Sequence, residues 1–146
     1  MKDIRQFCSC GKYTVFRKYS GMCSECVNLY AKYRRQVYSV IAASLKYETK
    51  SYIWNYLPYS VQELRKHLEK QFEPWMNWKN RGYYIKSDWK DNDYFTWKWQ
   101  IDHIIPQHNF LFDSLENQNF TDCWALWNLR PISAKENIIK NIREII

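Results

Sequence analysis

Hydrophobic positions in the first half of the chain recur with helical spacing in two stretches. Residues 27–46 contain no Gly or Pro, and their apolar stripe predicts a helix that buries Tyr30, Tyr33, Val37, Val40, Ile41 and Leu45. A second helix is predicted over 61–72, with Val61, Leu64, Leu68 and Phe72 on its buried side. Ser60 and Glu63 form a capping-box pattern at its start, and Pro74 ends it. His67 is expected at the margin of this stripe as a packing or surface residue.

The second half of the chain changes to strand-like alternation. Trp97 and Trp99 alternate with Lys98 and Gln100, which predicts the start of a strand, and 127–132 predicts a second short strand that Pro131 ends. Ser133 is expected to cap a final helix over 134–146, with Glu136 as its capping-box partner. The connection between the strands is long for a hairpin, so 113–124 should form a short helix of its own. The predicted fold class is α+β.

The chain is long enough for about one domain, and its charge is unevenly distributed between its two parts. The 146 residues suffice for one compact domain with a small appendage. Residues 1–50 carry ten Lys or Arg against three Asp or Glu, whereas residues 51–146 carry twelve of each, so the net charge of +7 lies entirely in the first part. A basic module beside a neutral one suggests a polyanion-binding arm, with nucleic acid first and an anionic membrane surface second, although a solvated surface explains it too.

The basic residues of the first predicted helix are candidates for this contact. Lys32, Arg34 and Arg35 lie among tyrosines, a mixture suited to DNA phosphates and equally compatible with an ordinary solvated face. No apolar run approaches the roughly 18 residues of a membrane span, and the first residues lack a signal-peptide core. We therefore expect an intracellular protein, neither secreted nor inserted in a membrane.

Four of the five cysteines form two close pairs, Cys8-x-Cys10 and Cys23-x-x-Cys26. Two short pairs joined by a knuckle-sized loop can place four thiolates around Zn²⁺, and the loop 11–17 is expected to run as a small hairpin. Such a zinc site is structural, because four thiolates leave no open position. Two disulfides are the alternative, disfavoured without a secretion signal. Cys123 stands apart in an apolar run and is most simply a buried small hydrophobe.

Asp102-His103, with Asn128, Asn137 and Lys140 further on, is the set of residues that suggests chemistry. Hydrolysis of a phosphodiester needs an activated water, neutralisation of the transition-state charge and help for the leaving oxygen. Adjacent residues of a regular strand point to opposite faces. Asp102 and His103 therefore serve one site only if metal and base approach from different sides, or if the strand is irregular. His108, the nearest competitor for the base, is more simply a loop or DNA-contact residue.

These residues resemble the motifs of the HNH endonucleases, a family with the ββα-metal fold. The similarity lies in Asp102-His103-Ile104-Ile105-Pro106, Asn128-Leu129-Arg130-Pro131-Ile132 and Glu136-Asn137-x-x-Lys140. The pattern over 57–72 with Trp78 is similar to a subgroup found in phages and large DNA viruses, and the cysteine cluster looks like the zinc modules that accompany such nucleases. The resemblance implies a four-cysteine zinc module at 1–30, a basic helix and linker at 31–56, and a nuclease domain at 57–146 with its ββα-metal core at 97–146.

Residue roles follow from the same resemblance. It implies that Asp102 and Asn137 bind a catalytic metal, that His103 is the general base, and that Asn128 holds the imidazole by a hydrogen bond. Lys140 and Arg130 are then expected to contact DNA. Two oxygen ligands suit Mg²⁺ or Mn²⁺, and Asn137, where many relatives have His, favours hard ions over zinc. Histidine, with a reference pKa near 6.5, suits proton abstraction at neutral pH.

The function that this resemblance implies is a metal-dependent endonuclease acting on double-stranded DNA, of phage or viral type. A homodimer is the simplest way for one small active site to cut both strands. The alternative is a zinc-clip DNA-binding or scaffold protein with a nuclease-like fold and no activity. A lipid-binding protein has little support from the interleaved Trp and polar residues.

Overall fold

The computed structural model describes residues 6–7, 10, 13–14, 23–47 and 49–145, which fall into two compact units. The N-terminal unit is drawn from Met1–Leu57 and Phe110–Asp122, and the C-terminal unit from Pro58–Asn109 and Cys123–Ile146. The division near Leu57 lies beside the predicted boundary. Residues 110–122 differ from the prediction, because they join the N-terminal unit and not the proposed nuclease domain.

The N-terminal unit begins with a small hairpin. Strand β1 (Gln6–Phe7) pairs antiparallel with strand β2 (Tyr13–Thr14), with Gln6 opposite Thr14 and Phe7 opposite Tyr13. The prediction placed a hairpin within 11–17. The observed hairpin starts earlier and spans the first cysteine pair, of which Cys10 is described and Cys8 lies outside the described residues.

Helix α1 (Ser24–Lys46) forms the body of the N-terminal unit. The predicted stripe is confirmed at Tyr30, Val37, Ile41 and Leu45, all of which are buried. Helix α3 (Gln118–Cys123), the short helix expected in the connection, is also present. Phe112 lies between Tyr30 and Phe120, with ring centroids 5.2 and 5.3 Å apart, which explains why this segment packs with the N-terminal unit.

The C-terminal unit starts with helix α2 (Val61–Glu69), whose capping box is present as predicted. The Ser60 hydroxyl accepts from the Glu63 N–H at 3.2 Å, and the Glu63 carboxylate accepts from the Ser60 N–H at 2.7 Å. The helix ends before Phe72. That side chain packs instead in an aromatic cluster, 5.5 Å from Trp78 and 4.8 Å from Trp99 between ring centroids.

Two strands and a helix complete this unit. Strand β3 (Trp99–His103) pairs antiparallel with strand β4 (Leu129–Ser133), with Asp102 opposite Arg130 and His103 opposite Leu129. Helix α4 (Ala134–Ile145) follows at once, and Ser133 accepts a hydrogen bond from the Glu136 N–H at 3.2 Å as its predicted cap. After α2, the strands and helix of this unit thus follow in the order strand, strand, helix.

Both predicted strands have shifted limits. β4 begins at Leu129 because Leu126–Asn128 forms a 3-10 turn, and it continues past Pro131, which was predicted to end it. Proline is tolerated there because β4 pairs only with β3 among the described strands, so its other edge needs no N–H donor. The overall architecture is α+β. No helix within the described ranges is long and apolar enough to cross a membrane.

Candidate active site

Asp102 is the centre of the charged cluster in the C-terminal unit. Its side chain is 5% exposed, and each carboxylate oxygen accepts a hydrogen bond from a cation. Arg130 Nε donates to Oδ2 at 2.8 Å, and Lys140 Nζ donates to Oδ1 at 2.8 Å. The register of β3 and β4 places Arg130 directly across, whereas Lys140 reaches in from α4. Burial of a carboxylate is costly unless it is paired, and here two cations compensate it.

Lys140 bonds a main-chain group as well as the Asp102 carboxylate. Its ammonium also donates to the main-chain oxygen of His103, at 2.6 Å, and its side chain is 22% exposed. The group predicted to contact phosphate is therefore directed inward in this structure. It links α4 to the last two residues of β3.

His103 is buried on the other face of the strand. The ladder with β4 is regular through His103, so adjacent side chains alternate in direction. Asp102 faces Lys140 on α4, while the His103 ring packs edge-on against Trp124, with centroids 4.5 Å apart and planes at 87°. The carboxylate and the imidazole thus lie on opposite sides of β3, the first of the two arrangements that the sequence left open.

Tyr59 holds the main chain of Trp124 by a hydrogen bond, a feature that sequence reasoning missed. The Tyr59 hydroxyl donates to the Trp124 main-chain oxygen at 2.6 Å. Burial, with a smaller contribution from Cys123, raises the pKa of Tyr59, so the phenol stays a donor. Tyr59 is far from Asp102-His103 in sequence, so no local pattern indicated this contact.

Asn128 fastens the chain that follows His103. This fully buried side chain donates from Nδ2 to the main-chain oxygens of Cys123 and Ile105, at 2.9 and 3.2 Å, and accepts from the Ile105 N–H at 2.7 Å. Among the described residues its side-chain hydrogen bonds go to main chain only, and not to the imidazole as predicted. Asn128 therefore holds the turn of chain that follows His103.

Asn137 lies on α4 beside β3. Its Nδ2 donates to Gln100 Oε1 at 2.7 Å, and Gln100 shares a strand face with Asp102 two residues later. The bond uses the amide nitrogen and leaves Asn137 Oδ1 as an acceptor. Sequence reasoning missed Gln100, although its spacing from Asp102 was the available signal.

The oxygens of this site suit a hard cation. Asp102 Oδ1 and the His103 main-chain oxygen already converge on one positive group, the Lys140 ammonium. Carboxylate, amide and main-chain oxygens are the ligands that Mg²⁺ and Mn²⁺ prefer. Asp102 and Asn137 therefore fit such an ion by donor type, provided that Lys140 releases the carboxylate.

The other two histidines lie apart from this chemistry. His67 Nε2 is 2.8 Å from the Leu129 main-chain oxygen and 3.0 Å from Gln71 Nε2, which ties α2 to β4. His108 is exposed on a 3-10 turn, Gln107–Asn109. The packing role predicted for His67 is confirmed.

A second candidate site lies in the N-terminal unit. The Sγ atoms of Cys10, Cys23 and Cys26 all lie within 4.8 Å of one another. Cys10 and Cys23 Sγ are 3.5 Å apart, well beyond a disulfide bond of about 2.05 Å. Two thiolates on a tetrahedral zinc with Zn–S near 2.3 Å are separated by roughly 3.8 Å. These three close cysteines could therefore bind a metal.

The start of α1 borders that site. Cys23 directly precedes the helix and Cys26 lies in its first turn, where exposed N–H groups favour negative charge. Further along the same helix Lys32, Arg34 and Arg35 are exposed. The start of α1 thus borders the cysteine cluster, and the predicted basic residues lie further along the same helix.

Comparisons with known proteins add a viral relative. The chain is 34% identical over 86 residues to a protein of Acanthamoeba polyphaga mimivirus named "Uncharacterized protein L426". The match covers 59% of this chain and 31% of the viral protein, so the chain spans about a third of that relative's length. No family model matches the chain, and no solved structure matches it.

Proposed function

We propose that this protein is a metal-dependent endonuclease that hydrolyses phosphodiester bonds of double-stranded DNA, with His103 as the general base. The observation that carries the proposal is the unit β3–β4–α4. It buries Asp102 and His103 on opposite faces of β3, at 5% and 6% exposed, and Lys140 Nζ donates both to the Asp102 carboxylate and to the His103 main-chain oxygen. Buried ionisable groups arranged in this way are more typical of a functional site than of a packing core.

In this proposal His103 takes a proton from the attacking water. Neutral imidazole suits that role near pH 7. The edge-on contact with Trp124 restricts the ring, and Asn128 holds the chain beyond it. Because Asp102 and His103 face opposite sides of β3, the scissile phosphate must approach the end of the strand, where groups from both faces can reach it.

Asp102 and Asn137 Oδ1 would hold Mg²⁺ or Mn²⁺, which supplies charge stabilisation for the phosphate and the leaving oxygen. Arg130, 41% exposed, can donate to a phosphate while it holds Asp102 Oδ2. Cys10, Cys23 and Cys26, with Cys8, would hold a structural Zn²⁺. The mimivirus relative supports the viral part of the proposal, and hence action inside a host cell.

A second candidate function is a DNA-binding or scaffold protein without activity. The observation that favours it is the pairing of both Asp102 oxygens with protein cations, Arg130 and Lys140. If Lys140 never leaves, its ammonium keeps the position beside Oδ1 that an ion would need.

Nicking of supercoiled plasmid distinguishes the two functions. With Mg²⁺ or Mn²⁺ the wild type should nick the plasmid, EDTA should stop it, and His103→Ala should lower the rate by about 10²- to 10⁴-fold. His108→Ala, which removes the competing histidine, should retain the rate at saturating DNA. Equal nicking rates for wild type and His103→Ala would reject His103 as the general base. A wild type that shifts DNA in a gel, but does not cut it in the presence of either Mg²⁺ or Mn²⁺, supports the second function.

A further inference from the structure

We infer that the Lys140 ammonium occupies the cation position of the site, so that a divalent ion binds Asp102 only when Lys140 moves out. The inference rests on the proposed function and concerns how that site is loaded. Nζ lies 2.8 Å from Asp102 Oδ1 and 2.6 Å from the His103 main-chain oxygen. Both are hard oxygens of the kind that Mg²⁺ and Mn²⁺ select.

Electrostatics make the two cations mutually exclusive at this place. A divalent ion about 2.1 Å from Asp102 Oδ1 would lie close to an ammonium bound to the same oxygen, in a site that solvent screens poorly. Arg130 is different, because its guanidinium holds the other oxygen, Oδ2. It can remain in place while Lys140 exchanges.

The chain offers Lys140 a second position. Glu136, Ile139, Lys140 and Arg143 line an open groove of about 440 Å³ along α4. Glu136 stands four residues before Lys140, and a glutamate on the N-terminal side of a lysine at this spacing is a favourable helical pair. The lysine stem is long and flexible. An inner position on Asp102 and an outer position beside Glu136 therefore require only side-chain rotation.

Lys140 thereby acts as a positioning residue with two states. In the inner state it neutralises the buried carboxylate and ties α4 to β3. In the outer state Asp102 is released to the ion and the ammonium faces solvent, where it can meet a phosphate. Loading of the ion and presentation of a phosphate-binding lysine would then be one event.

Chemical labelling of the wild type tests this exchange directly. An amine-acetylating reagent is applied in EDTA, in Mg²⁺ and in Mn²⁺, and acetylation is located by mass spectrometry. Lys140 should react slowly in EDTA and at least threefold faster with either ion. Lys135, on the same helix and bonded to Asp91 at 2.6 Å, is the internal control and should not change. Equal reactivity of Lys140 at ion concentrations that saturate the protein overturns the inference.

Titration calorimetry with Mn²⁺ distinguishes the effect of the position that Lys140 occupies from the effect of its positive charge. Lys140→Met and Arg130→Met each remove one positive charge from the same carboxylate. Lys140→Met should bind Mn²⁺ at least tenfold more tightly than wild type, and more tightly than Arg130→Met. Equal gains in the two variants would mean that charge alone acts, which overturns the inference. If either variant is unfolded by circular dichroism, the labelling result on the wild type decides.

The outcomes stay separable from those of the proposed function. Plasmid nicking with no change in Lys140 reactivity rejects the exchange and keeps the nuclease. Ion-dependent exposure of Lys140 without nicking keeps the exchange and rejects the nuclease. If neither wild type nor Lys140→Met binds Mn²⁺, the exchange is rejected whatever the plasmid shows.

Discussion

Asn128 is the single residue on which the site most depends for buried hydrogen bonds. Its three side-chain bonds join the turn after His103 to the chain before β4. Asn128→Ala would leave the main-chain groups of Ile105 and Cys123 short of partners. Each buried group left unsatisfied costs about 1–3 kcal/mol. We therefore expect the free energy of unfolding in urea to fall by at least about 2 kcal/mol.

The exposed Asn109 provides the matched control for that variant. Asn109→Ala should change the free energy of unfolding by less than about 0.5 kcal/mol. Equal stability of the two variants would show that Asn128 is dispensable to the turn. That result would also remove the support that Asn128 is proposed to give His103.

Residue types were predictable at this scale, but partners were not. The sequence singled out Asp102 and Lys140 separately. Their contact depends on the strand register and on where α4 crosses β3, and no local pattern encodes either. Gln100 and Trp124 were missed for the same reason, because each became part of the site through a residue distant in sequence.

At the scale of elements, the caps made the helices predictable. Ser60 and Glu63 fix the start of α2, and Ser133 fixes the start of α4. Periodicity alone was less accurate at the other ends: α2 stops at Glu69, and the Phe72 ring packs outside the helix against Trp78 and Trp99. β4 runs through Pro131, which a local rule placed at its end.

The cap of α2 predicts a pH dependence. Hydrogen bonds from the Ser60 N–H and then from its hydroxyl lower the pKa of Glu63. A carboxyl with a lowered folded-state pKa stabilises the fold above its unfolded pKa, near 4.3, and loses that effect as pH falls through the folded value. Glu63→Gln should therefore melt below wild type at pH 7, and the gap in melting temperature should close in acid. A gap that widens as pH falls would contradict the capping account.

We expect the N-terminal hairpin and the start of α1 to depend on a metal held by the cysteine cluster. Cys10, Cys23 and Cys26 join these two elements, and a structural zinc contributes folding energy directly. A strong chelator should release one zinc per chain and raise amide exchange at the start of α1. Cys26→Ser should abolish zinc binding, whereas Cys123→Ala, which removes a buried cysteine outside the cluster, should retain it. Zinc retained by Cys26→Ser would reject the site.

At the scale of the whole molecule, the residues proposed to bind DNA and those proposed to cut it belong to different units. Lys32, Arg34 and Arg35 lie on α1 in the N-terminal unit, and the Asp102 cluster belongs to the C-terminal unit. Counting charges along the sequence indicated the basic segment 1–50, but Asp113, Glu116 and Asp122 join the N-terminal unit through 110–122 and lower its positive charge. Membership of 110–122 in the N-terminal unit was not predictable, because it follows from packing of Phe112 against Tyr30, far away in sequence.

This separation predicts that affinity for DNA and the rate of cutting respond to different substitutions. Lys32, Arg34 and Arg35 are exposed on α1, and each phosphate contact contributes a slope of roughly 0.9 to the dependence of log affinity on log salt. Changing all three to Gln should weaken binding at low salt and flatten that slope, measured by fluorescence anisotropy on a duplex. Nicking at saturating DNA should stay within about threefold of wild type, because the β3–β4–α4 unit is untouched.

A control triple removes the same charge elsewhere. It changes three other exposed lysines to Gln: Lys50, Lys70 and Lys86. Long-range attraction falls with total charge in both triples, but only the α1 triple removes direct phosphate contacts. Its salt slope should therefore fall by roughly 2 to 3 more than that of the control. Identical slopes would mean that the basic surface of α1 is merely solvated and makes no direct phosphate contact.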